Sequence, residues 1–163
     1  MIQRIQSLLL FLAALCGIAV FFFPLFSYNV VNNTFDVYIT GVRNLDPESE
    51  LSFNISLIFH LIILIVLIIN ALGIIFLYKN RPLQMKLCRF GMMTSIVFVF
   101  LIFMFADTIK DRFIEKMQLF PEFVKPSFGI GSILPIVMLV LFFVAIIFIR
   151  KDEKLVRASD RLR

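Results

Sequence analysis

The sequence predicts an all-α integral membrane protein: a four-transmembrane-helix bundle with a small extracytoplasmic β-hairpin and a cytoplasmic amphipathic C-terminal helix. Three observations predict it. The chain of 163 residues is 61% hydrophobic with a mean hydropathy of +0.99, well above the roughly 45–50% apolar content of soluble domains. Asp, Glu, Lys and Arg are absent from residues 5–35, 51–78, 90–106 and 126–149. A bilayer core takes about 17–25 apolar residues to cross, so each gap holds one span. Finally, the basic residues are sorted by side. Four spans place both termini on one face, and that face carries eleven of the sixteen Lys and Arg but three of the eleven acids. The faces then differ as +8 against −3, and an excess of basic residues marks the cytoplasmic side. The whole chain reads as a single membrane domain in a bacterial inner membrane.

The first helix is expected over about 5–26. It has no A-x-A cleavage site, and Leu15 before Cys16 is too large for a lipoprotein signal, so it reads as an uncleaved span. Ala13 and Gly17 form a small-xxx-small pair suited to close helix approach. The outer loop 27–52 alternates Phe35, Val37 and Ile39 after Asn32-Asn33, a pattern for a two-stranded hairpin turning at the asparagines. Residues 44–50 read as a polar turn. The second helix, about 53–78, carries His60 and Asn70. The third, about 86–107, carries Gly91, Thr94 and Ser95 and ends at Asp107. In the second outer loop, 108–128, the spacing of Phe113, Ile114, Met117, Leu119 and Phe120 suggests a short amphipathic helix at the interface. The fourth helix, about 129–149, contains Pro135, a candidate kink. Tyr28 and Tyr78 fall at span ends, where interfacial tyrosines collect.

The cytoplasmic tail, 150–163, holds nine charged residues, yet Leu155 and Leu162 lie seven apart and give a helix a narrow apolar stripe. Leu155, Arg157 and Leu162 are therefore candidate docking residues.

No charge falls in the middle of a span, which removes the usual mark of ion pathways and proton relays. One histidine cannot build a zinc or haem site, and two lone cysteines without a CxxC motif offer no redox pair. Ser95 and Ser132 have no neighbouring base, and no phosphate-binding loop motif occurs. No catalytic, cofactor-binding or metal residue is expected, nor any nucleotide or nucleic-acid partner. His60, Asn70, Thr94, Ser95 and Asp107 are candidate interhelical polar contacts, with His60 reaching toward the Asp107 end of the third helix. Asn70 must find a partner, because an unsatisfied buried amide is costly.

The opening MIQRIQS and the closing DEKLVRASDRL resemble a family of small four-span inner-membrane proteins of Bacteroidota, domain-of-unknown-function family 4293. The resemblance spans the chain and implies no catalytic residue. The function expected is non-enzymatic: an accessory or scaffold subunit of a larger membrane complex, in contact with membrane lipids and protein partners. The alternative is a small transporter or lipid-handling protein, with a site built from Asn70, His60, Thr94 and the backbone near Pro135.

Overall fold

The computed structural model describes residues 2–30, 33–44, 57–78, 80–117, 124 and 126–160. They form α1 (Ile2–Ala19), β1 (Phe26–Val30), β2 (Asn33–Tyr38), β3 (Gly41–Asn44), α2 (Ile58–Phe76), α3 (Arg81–Met117), β4 (Pro126–Phe128) and α4 (Ile130–Asp160). The fold is mostly helical, with one small sheet. The helices form a ring in which α1 and α3 each pack on both α2 and α4. Three stretches are long and apolar enough to cross a membrane: Ile58–Phe76, Arg81–Arg112 and Ile130–Leu155. The apolar part of α1, Ile5–Ala19, is shorter.

α1, α3 and α4 depart from their expected bounds for local reasons. α1 stops at Ala19 instead of continuing to 26. Pro24 has no amide proton, and its ring disfavours helix in the preceding turn. The chain tightens first: Val20 N–H still bonds the Cys16 carbonyl at 3.2 Å, but Phe21 and Phe22 bond Ile18 and Ala19, three residues back. α3 begins five residues early, because Pro82 falls in the first turn, where no donor is needed. It then runs 37 residues, about 55 Å at 1.5 Å per residue. The separate interfacial helix expected after 107 is the continuation of α3 through Met117, since no Gly or Pro intervenes to break it. Leu119 and Phe120 lie outside the described residues, as do 45–50 of the expected polar turn and 53–56 of the expected second helix. α4 likewise runs through residue 149 to Asp160, so tail and span are one helix of 31 residues.

The expected two-stranded hairpin is part of a four-stranded antiparallel sheet of order β3-β2-β1-β4. Val30 pairs with Asn33, so Asn33 already belongs to β2, while Asn32 lies outside the described residues. β3 adds to β2 through the pair Tyr38–Gly41. β4 arrives from the far side of α3 and pairs Phe128 with Phe26. Phe26, Tyr28, Phe35 and Val37 sit opposite one another in register and are fully buried. This face closes one end of the helix ring. The alternation seen in Phe35, Val37 and Ile39 is thus an inward-facing period of two.

The sheet is fastened to α4 through its backbone. Leu25 N–H donates to the Val37 carbonyl, Gly129 N–H to Leu25 and Gly131 N–H to Pro24, at 2.8, 2.9 and 3.0 Å. The last of these satisfies one of the free donors at the start of α4. A Cβ at Gly131 would stand 2.6 Å from the Pro24 carbonyl oxygen and 2.7 Å from that of Phe23, so only glycine allows this approach.

Candidate functional site

The polar side chains inside the helices are the natural place to look for chemistry, and several of them bond to backbone carbonyls. The α2–α3 pair is stitched at three levels. His60 Nε2 lies 3.4 Å from the Leu101 carbonyl, Asn70 Nδ2 donates to Leu87 at 3.2 Å, and Gln84 Nε2 donates to Ile74 at 3.4 Å. The partners advance along α2 as they retreat along α3, as an antiparallel hairpin requires. Ile74 also accepts the Leu77 N–H at the C-terminus of α2. Gln84 therefore helps to satisfy a helix end whose last carbonyls lack intrahelical donors.

His60 meets the part of α3 just before Asp107 through the Leu101 carbonyl, not through the Asp107 carboxylate. Its ring packs at 4.6 Å from the Phe105 ring, and Asp107 is exposed. The group that meets that end of α3 is Tyr28, whose hydroxyl donates to the Ala106 carbonyl at 2.6 Å. Tyr28 is fully buried, not interfacial. Burial, and then the neighbouring Asp107 charge, pushes its phenol well above the usual range. Tyr78, in contrast, is half-exposed.

The hydroxyl groups turn back onto their own helices. Ser95 donates to Gly91 at 2.8 Å, Thr94 to Phe90 at 2.9 Å and Ser132 to Gly129 at 2.8 Å. Such bonds to a preceding turn are a common way to satisfy Ser and Thr in helices. They turn the Ser95 and Ser132 hydroxyls to backbone carbonyls. Asn70 stands where three helices cross: a Cβ at Gly91 would be 2.6 Å from Asn70 Nδ2 and 2.9 Å from the Phe142 ring. The space beside the amide is filled by protein. Among the described residues, no group of three His, Cys, Asp or Glu could hold a metal ion. Cys16 and Cys88 are free thiols.

The other end of the ring is charged. Arg81 at the start of α3 pairs with Asp152 of α4 at 3.3 Å. A pocket of about 290 Å³ is lined by Ile147, Arg150, Lys151 and Lys154. Leu155 is 54% exposed. Arg157 lies on α4, while Leu162 falls outside the described residues. Gln6, on α1, is buried with its Nε2 unpartnered.

Sequence reasoning singled out Asn70 as a group needing a partner, whereas Ser95, expected as an interhelical contact, bonds within α3. It missed Gln6 near the start of the first helix, Tyr28 in a position read as interfacial, and Gln84 between the second and third charge-free stretches. A buried amide or phenol at a helix end carries no periodic signal.

No curated protein and no solved structure matches the chain. The sequence profile described as "Domain of unknown function (DUF4293)" matches residues 2–162. With nearly its full length matched, the chain belongs to the DUF4293 family.

Proposed function

We propose that this is a non-enzymatic inner-membrane protein of Bacteroidota, an accessory or scaffold subunit that packs against a larger membrane assembly. In this reading four helices cross the bilayer, both termini are cytoplasmic and the sheet faces the periplasm. The carrying observation is the use of the internal polar groups. His60, Asn70 and Gln84 each tie α2 to the backbone of α3 or the reverse, and Ser95 closes on its own helix. These groups are occupied in holding helices together, which suits a rigid subunit. The packing of Gly91 and Phe142 around Asn70 weighs against a transport site at that amide. The orientation rests on the eleven basic residues of the terminal face and the rule that such residues stay inside.

The test is purification of the tagged, full-length protein in a mild detergent from native membranes. A partner recovered at fixed stoichiometry is expected. Repeated recovery of a lone monodisperse protein would overturn the proposal. Resistance to alkaline carbonate extraction tests membrane insertion separately.

A further inference from the structure

The exposed face of α4 changes character without changing direction. Ile136, Val140, Phe143 and Ile147 are all exposed, between 42% and 52%. Their spacings of four, three and four place them on one stripe of the helix. Arg150, Lys151 and Lys154 follow Ile147 by three, four and seven residues, so the three cations continue the same stripe. They line the pocket of about 290 Å³ together with Ile147. That size is near the lower end of small-ligand sites, about 300–1,000 Å³. Of the two acids between Lys151 and Lys154 in sequence, Asp152 pairs with Arg81 at 3.3 Å. No acid lines the pocket.

We propose that this stripe binds an anionic phospholipid, with an acyl chain along Ile136 to Ile147 and the phosphate between Arg150, Lys151 and Lys154. The proposal rests on the membrane reading above. Three convergent cations call for a phosphate rather than a single carboxylate, because a phosphate offers several acceptor oxygens to charged donors. The apolar stripe that ends in Ile147 selects a lipid over free phosphate, which would have no use for it. The arrangement needs α4 to run unbroken across the end of its apolar segment, as it does. The same cations thus serve as topology signals and as a headgroup site.

The experiment uses the full chain in neutral detergent micelles doped with phosphatidylglycerol or phosphatidylcholine, with retained lipid counted by native mass spectrometry. A preference for phosphatidylglycerol of tenfold or more is expected, since basic side chains near the surface contribute about a factor of five each. K151Q/K154Q should lower that preference at least tenfold. The matched pair K86Q/R89Q, which removes equal charge from α3, should change it less than threefold. Ile147→Ser should weaken lipid retention, and millimolar inorganic phosphate should not displace the lipid. Equal retention of both lipids by a protein that resists alkaline extraction overturns this site and leaves the membrane reading intact. Release of the protein by alkaline extraction overturns both. Equal loss in the two double variants would reduce the effect to diffuse charge, and displacement by phosphate would make it a phosphate site; either result refutes the proposal.

Discussion

Gly91→Ala and Gly73→Ala make the same chemical change in two helices, and the structure predicts opposite outcomes. At Gly73 nothing stands within 4 Å of the added carbon. The substitution there should stabilise by about 0.5–1 kcal/mol, the cost of glycine in a helix interior. At Gly91 the added carbon would meet Asn70 Nδ2 at 2.6 Å and two Phe142 ring atoms at 2.9 Å, where ordinary contact begins near 3.4 Å. Asn70 must therefore retreat by about 0.8 Å, which strains its 3.2 Å bond to the Leu87 carbonyl. Phe142 is fully buried and has little room to yield. Overpacking of this kind costs about 1–3 kcal/mol, and the lost interhelical bond about 0.6 kcal/mol more. The assay is reversible unfolding in mixed micelles by titrated denaturing detergent, read by circular dichroism. A double-mutant cycle with Asn70→Ala isolates the clash: with the amide removed, Gly91→Ala should cost about 1 kcal/mol less. If the two alanines shift stability in the same direction, or the cycle is additive, the three-helix contact at Gly91 is wrong.

Gln6→Met should raise stability by about 1 kcal/mol in the same assay, because it removes a buried amide nitrogen that has no partner at little change in shape; a loss of stability would mean that the nitrogen is bonded. Tyr28→Phe should cost about 1 kcal/mol at neutral pH by removing the 2.6 Å bond to Ala106. Because folding raises the Tyr28 pKa, the neutral phenol is the form that stabilises. Its contribution is complete below the unfolded value near 10 and is lost as pH rises from there toward the folded value. The stability gap between wild type and Tyr28→Phe should therefore close above pH about 10, and a gap that widens there would reverse the assignment.

The charge-free stretches made the helices legible, because excluding charge from an apolar stretch is the strongest signal a helical bundle writes into its sequence. Their ends were less legible. Residues 108–117 carry charges and read as an outer loop with a separate interfacial helix, yet no Gly or Pro in them stops a helix, so α3 continues. Pro24 was visible but its reach was underestimated: it ends α1 several residues before itself. β4 was invisible because three residues, Pro126–Phe128, have no readable period, and their partner in β1 is about one hundred residues away. The alternation of Phe35, Val37 and Ile39 was readable because period-two burial is local. At the candidate site, burial predicted that Asn70 needed a partner without naming Leu87. For His60 the Asp107 end of the third helix was legible, but not the Leu101 carbonyl and the Phe105 ring that it meets there.

What the polar ties imply for motion follows from where they are. His60, Asn70 and Gln84 bond across α2 and α3 near both ends and along the middle, so sliding one helix past the other by a turn would break all three. Rocking between these helices is the costly motion. On the opposite side the chain just after α1 is coupled to the start of α4 through Pro24, Leu25 and the two glycine amides. A relative shift of α1 and α4 would pull on the sheet, whose β1 and β4 are themselves paired. The sheet therefore acts as a brace joining the ends of α1, α3 and α4, with Tyr28 anchoring it to α3. A bundle locked by amides on one side and braced by backbone bonds on the other suits a subunit that presents a fixed outer surface. On that surface the continuous stripe of α4, apolar and then cationic, is the part whose chemistry selects a partner.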